Sequence, residues 1–154
     1  SEPGDFVNKE GKVLGKHKGQ IHYTIGQRRG LGISAPESLY VCGKSLDSNE
    51  VILGSKQDLM SNYCYINDIN LIPWDHLDAP IKCKVKTRYR QPEQPATVEQ
   101  IGEDLIKITF DEPQRAVTPG QAAVLYDDDM VLGGGTILPE SLASTMTTSQ
   151  GTNI

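Results

Sequence analysis

The sequence predicts a mainly β protein, a small β-rich unit followed by an antiparallel β-barrel. Three observations predict it. Short alternating or β-branched runs recur along most of the chain, among them Val51-Ile52-Leu53, Ile81–Arg90 and Leu105–Phe110. Stretches of Gly, Pro, Asn and Asp separate them, such as Asp47-Ser48-Asn49 and Gly102–Asp104, which is turn chemistry. Helical periodicity is almost absent, with Lys56–Met60 the best candidate for a short turn.

Taken in order, Asp5-Phe6-Val7 and Val13-Leu14 read as a small hairpin around an Asn8–Gly11 turn. The segment Gly15–Ile33 is too glycine-rich for a long helix. It reads as a tight loop, an extended piece at Ile21–Tyr23 and one helical turn across Gly26–Leu31. Leu39–Cys42 and Val51–Gly54 are strands, and Cys64–Ile72 alternates weakly before Pro73. The proline-bounded stretch Pro73–Pro80 marks the boundary between two units, residues 1–73 and 74–138. Beyond it, Ile81–Arg90, Ala96–Ile101, Leu105–Phe110, Gln121–Tyr126 and Met130–Leu138 are strands. Asp111-Glu112-Pro113 ends the third, and Gly133–Gly135 interrupts the last. Residues 139–154 lack periodicity, carry no charge from Ser141 on and read as a poorly structured tail.

Composition narrows the function classes. No run approaches the ~18 apolar residues of a membrane helix, and nothing at the N-terminus resembles a secretory signal. The chain starts at Ser1 rather than Met, as an excised or processed piece would. Cys42, Cys64 and Cys83 are odd in number and lack CxxC spacing, which argues against a disulfide framework or a zinc site and for the cytoplasm, while the apolar alternation around Cys42 and Cys83 reads as buried thiols. The histidines are His17, His22 and His76; His17 and His22 have no acidic residue near in sequence, so a hydrogen-bonded structural role or a phosphate contact suits them better than catalysis. Gly133-Gly134-Gly135 lacks the Lys-Ser/Thr of a phosphate loop, and a bulge or close backbone approach explains it. Asp127–Asp129 reads as a solvated turn. No self-sufficient active site or metal centre emerges.

Charge is the informative feature. The net value is −5, yet the cations are segregated. Lys12, Lys16, Lys18, Arg28 and Arg29 fall in one window without an acid, and Lys82, Lys84, Lys86, Arg88 and Arg90 fall in another. Strand alternation would put the second set on one face and Ile81, Cys83, Val85, Thr87 and Tyr89 on the other. Like charges at that spacing repel unless a polyanion neutralises them. Tyr23 and Tyr89 lie inside the windows and offer planar surfaces for a base or ribose. These features fit an RNA- or DNA-binding module without choosing between the two.

Five segments then carry a resemblance: GKHKG at 15–19, YTIGQRRGLGI at 23–33, VKTRYR at 85–90, AVTPGQ at 116–121 and LGGG at 132–135. In this order and spacing the chain resembles the C-terminal half of bacterial tRNA-specific 2-thiouridylases over residues 3–138. The resemblance implies a central domain and a β-barrel similar to elongation-factor second domains. It also implies a parent enzyme that uses ATP, with magnesium, to 2-thiolate the wobble uridine at position 34 of tRNA, fed by a sulfur-relay donor. The family's nucleotide loop, SGG-x-DS, and its two catalytic cysteines are absent from these residues, so the chain alone is expected to be inactive and to hold no cofactor or metal. The resemblance places tRNA contacts at Arg88, Tyr89 and Gln121. Neighbouring charge and motif positions add Lys86, Arg90, Lys16, His17, Lys18, Gln27, Arg28 and Arg29, and charge alone adds Lys82 and Lys84. The expected partner is tRNA, with no DNA and no membrane. The alternative is a basic module docking an acidic protein such as a sulfur carrier.

Overall fold

The computed structural model describes residues 2–139; the expected tail from residue 140 onward lies outside the described residues. The chain divides into two compact units, one up to Ser61 and one from Asn62.

In the first unit, β1 (Gly4–Val7), β2 (Val13–His17), β3 (Tyr40–Ser45) and β4 (Glu50–Gly54) form a sheet in the order β2-β1-β4-β3. The β1–β2 hairpin closes on Asn8, whose Oδ1 accepts the backbone N–H groups of Glu10 and Lys12 at 3.0 and 2.8 Å. β1 and β4 run parallel, and parallel neighbours need a long connection. The basic segment after β2 supplies much of it. Its conformation differs from the sequence expectation. Gln20–His22 is a 3₁₀ turn rather than extended, and no helical turn spans Gly26–Leu31. The backbone there bonds to β3 instead, Gly26 N–H to Val41 O at 2.8 Å and Val41 N–H to Gln27 O at 2.9 Å. Gly26 reaches that geometry with φ of 95°, a region costly for other residues. Phe6, Tyr23, Leu31, Val41, Val51 and Leu53 fill the core of this unit.

The second unit is a closed antiparallel barrel of β5 (Met60–Leu71), β6 (Ile81–Lys86), β7 (Gln94–Gly102), β8 (Leu105–Arg115), β9 (Ala122–Asp127) and β10 (Met130–Ile137), in the order β10-β5-β8-β7-β6-β9. Closure leaves no sheet edge exposed. Ile66, Val85, Val98, Ile106, Ile108, Leu125 and Ile137 fill its interior. The expected boundary at 73/74 moves to 61/62, because β5 pairs with β10 and is a barrel stave. Pro73–Pro80 therefore links two staves of one barrel. Similarly, Asp111-Glu112-Pro113 does not end β8, which runs on to Arg115. Pro113 lies beyond the last β7 pair, Ala96–Phe110, where its missing N–H costs that ladder nothing.

The three glycines of β10 do not break the strand. They let β5, β10 and β9 approach: a Cβ on Gly133 would lie 2.0 Å from Asn70 O, and one on Gly134 2.1 Å from Ala123 O. The register also shifts on both sides of this stretch, a bulge of the kind the sequence suggested.

Candidate nucleic-acid interface

β6 ends at Lys86, four residues earlier than alternation implied, and Thr87–Arg90 forms a bend and turn. The cause is a set of polar bonds that replaces the ladder. Gln91 N–H donates to Arg88 O at 3.2 Å, and the buried Thr87 hydroxyl donates to Gln91 Oε1 at 3.2 Å. The row of five cations on one strand face is thus corrected. Lys82, Lys84 and Lys86 lie on the strand, while Arg88 and Arg90 project from the turn. Tyr89, expected to face the core, is 93% exposed. Alternation had set Arg88 and Tyr89 on opposite faces; leaving the strand exposes both.

The register places Lys86 opposite Val124 of β9. The turn therefore leaves the barrel at the end where Gln121 leads into β9. Gln121 is exposed and closes a Thr118-Pro119-Gly120-Gln121 turn, its N–H donating to Thr118 O at 3.2 Å with Gly120 at φ 87°. Proline then glycine at the centre of such a turn is type II chemistry. Arg88, Tyr89, Arg90 and Gln121 thus share one rim. Among the described residues, the guanidinium groups of Arg88 and Arg90 make no hydrogen bond or ion pair.

The strand cations are less available. Lys82 Nζ pairs with Asp111 at 2.9 Å, so its charge is answered from within the barrel. Lys86 is half-buried, its ammonium 6.0 Å from the centre of the Tyr126 ring. Lys84 is exposed.

In the first unit the expected contacts separate more sharply. Lys16 pairs with Asp5, its register partner on β1, a counter-charge that the acid-free window concealed. His17 is only 1% exposed. Gly19 N–H donates to its Nδ1 at 2.9 Å, so the proton sits on Nε2, which donates to Asn49 O at 2.8 Å. Its ring packs edge-on against Phe6 and Tyr23. His17 is a structural residue, and the phosphate contact is withdrawn. Tyr23 is also core, its hydroxyl accepting Lys18 N–H at 3.0 Å, and offers no stacking face. Gln27 spends its amide internally, accepting from Thr24 N–H at 3.0 Å and donating to Arg29 O at 2.9 Å. Lys18, Arg28 and Arg29 remain exposed. Arg28 borders an open groove of about 580 Å³ whose wall runs from Gly30 to Leu39. Replacing His17 by Phe is expected to destabilise this unit by about 2–4 kcal/mol, since two backbone groups lose buried partners. Urea unfolding followed by circular dichroism reads it.

The thiols are poor nucleophiles. Burial pushes Cys64 up to about 12 and, more than nearby carboxylates do, Cys42 and Cys83 up to about 11, so all three are protonated near pH 7. Nor is Gly133–Gly135 shaped as a nucleotide cradle. The glycine run lies inside β10 with strand backbone on both sides, and no three His, Cys, Asp or Glu side chains are grouped to hold a cation. No helix among the described residues is long and apolar enough to cross a membrane.

Sequence reasoning missed the polar side chains that hold the rim. Gln91 Nε2 donates to Gln114 Oε1 at 2.8 Å, and Gln114, 6% exposed, donates to Glu112 O at 2.9 Å. Nothing in the sequence marks a glutamine as buried; only the fold brings residues 91 and 114 together.

Residues 61–137 match the family model described as an aminomethyltransferase beta-barrel domain. Residues 1–55 match the one described as a tRNA methyl transferase PRC-barrel domain. The chain is similar to tRNA-specific 2-thiouridylase MnmA of Clostridioides difficile, 46% identical over 136 residues, 88% of this chain and 38% of the relative. With the protein of that name from Synechocystis it is 50% identical over 139 residues, 89% of this chain and 38% of the relative. With that of Carboxydothermus hydrogenoformans it is 44% identical over 136 residues, 88% and 37% respectively. The chain spans well under half the length of these curated relatives.

Proposed function

Because the chain belongs to the tRNA-specific 2-thiouridylase family, we propose that it is the tRNA-positioning part of a cytoplasmic protein that replaces the C2 oxygen of the wobble uridine with sulfur. The observation that carries this reading is the barrel rim. Arg88, Tyr89 and Arg90 stand exposed on a braced turn beside Gln121, and the arginines have no internal counter-charge among the described residues.

The rim suits RNA for physical reasons. Guanidinium groups fork onto phosphate oxygens, and a phenol ring between them offers a face to an unstacked base or a ribose. The Gln121 amide can both donate to and accept from a 2′-hydroxyl or base edge. Arg28, Arg29 and Lys18 add cations on the first unit for further phosphate contacts. Lys16, His17 and Gln27 serve the fold instead. We assign adenylation by ATP with magnesium, and sulfur supply from a relay protein, to the part of the relatives that this chain does not span, since the glycine run is hemmed in by strand backbone and burial keeps the three thiols protonated.

The test is a salt titration of binding to an unmodified tRNA transcript carrying uridine at position 34, with duplex DNA and an acidic sulfur-carrier protein as competitors. The reading expects log affinity to fall with log salt by about 0.7–0.9 per neutralised phosphate, with neither competitor displacing the transcript. Salt-independent binding, or displacement by the carrier, contradicts it.

A further inference from the structure

The bonds under the rim run in one direction only. Glu112 O can only accept, so Gln114 must present its amide NH₂ there and its Oε1 to Gln91. Gln91 then presents its own NH₂ to Gln114 and its Oε1 to the Thr87 hydroxyl, which donates. Every link is 2.8–3.2 Å, and Thr87 and Gln114 are buried. These bonds join two loops that sequence separates. Thr87 and Gln91 bracket Arg88, Tyr89 and Arg90; Gln114 closes β8 just before the loop to Gln121.

A barrel selected for stability alone would have little use for this arrangement. Glutamine loses much rotamer freedom on burial, and an apolar pair of similar shape can replace a buried hydrogen-bonded pair at little cost. What an apolar pair does not supply is direction. Hydrogen bonds fix the turn at both ends and hold it against the second loop, so binding need not order it. That second loop also carries a strained residue, Ala116 at φ 57°, and Thr118 Oγ donates to Ala116 O at 2.9 Å.

We infer that Gln91 and Gln114 are positioning residues that preorganise the Arg88–Arg90 turn and the Gln121 loop as one RNA-binding edge. This rests on the function proposed above. The experiment compares the unaltered chain with Gln114→Met and with the paired Gln91→Leu/Gln114→Met change, made together with Thr87→Val so that no buried hydroxyl loses its acceptor and an apolar contact is restored. Binding to the unmodified tRNA transcript, hydrogen exchange of the Gln91 amide and thermal melting are measured for each.

The paired variant is expected to melt within a few degrees of the unaltered chain, exchange the Gln91 amide faster and bind about 5–10-fold more weakly. Its salt slope should stay unchanged, since no cation is removed. Arg88→Ala should cost less in that background than in the unaltered chain, the sign of shared action. Unchanged exchange, unchanged affinity, or full additivity with Arg88→Ala overturns the inference. A paired variant that melts far lower and loses affinity only in proportion to the unfolded fraction overturns it too, leaving a purely structural role. If the unaltered chain fails to bind the transcript, the functional reading falls and this inference falls with it. Normal binding by the unaltered chain with an indifferent paired variant removes only the inference.

Discussion

Replacing Arg88 by glutamate is expected to reduce affinity for a tRNA transcript roughly tenfold near ~0.1 M salt and to flatten the salt dependence by about 0.7–0.9 in slope. Arg88 projects from the turn that replaces the end of β6, with no ion pair among the described residues. Its charge is free to displace counterions from RNA, and glutamate at the same place repels a phosphate. The internal control is Lys82→Glu, six residues earlier on β6. Lys82 already faces Asp111 at 2.9 Å, so it has little charge to offer RNA and its reversal should leave the slope nearly unaltered. If both reversals flatten the slope equally, binding is by diffuse charge and not by the rim. Fluorescence anisotropy across a range of potassium chloride concentrations separates these outcomes.

Gly133→Ala is expected to destabilise the barrel by about 3–5 kcal/mol, enough to lower the urea midpoint substantially. Two costs combine. The added Cβ would sit 2.0 Å from Asn70 O and 2.9 Å from Leu71 Cα, both backbone atoms of β5 that cannot swing aside. The position also holds φ 139°, which alanine rarely adopts. The comparison is Gly120→Ala, where φ is 87° but nothing lies within 4 Å of the new Cβ. That change carries only the backbone cost of about 1 kcal/mol. Equal losses at the two positions would show that φ strain, and not the close passage of β5 and β10, makes glycine necessary.

The strands were largely legible because period-2 patterning reports burial on one face directly. Val85 reads as an inward residue and is inward. Strand ends were less legible, since they depend on partners distant in sequence. Alternation through Tyr89 carried the pattern past Lys86, where a hydrogen bond to Gln91 and the contact with Gln114 bend the chain away. Charge was legible only as a count. Asp5 and Asp111 neutralise Lys16 and Lys82 from strands that meet only on folding, so acid-free windows overstated the available cations. His17 shows the same effect for polarity. Its setting in a basic glycine loop suited a phosphate, but the fold places Asn49 O and Gly19 N–H on its two nitrogens. The rim was not legible from the pattern: alternation set Tyr89 toward the core, and only the turn that follows Lys86 exposes it together with Arg88.

The most direct measurement of the central claim is site-specific photo-crosslinking. Benzoylphenylalanine replaces Tyr89 on the rim or Met130, an exposed residue paired with Asp127 at the end of β9 opposite Gln121. The probe at position 89 should crosslink a bound tRNA transcript strongly, in a reaction that rising salt suppresses, while the probe at 130 stays near background. Crosslinking at 130 with none at 89 would contradict the assignment of this rim as the tRNA-binding edge.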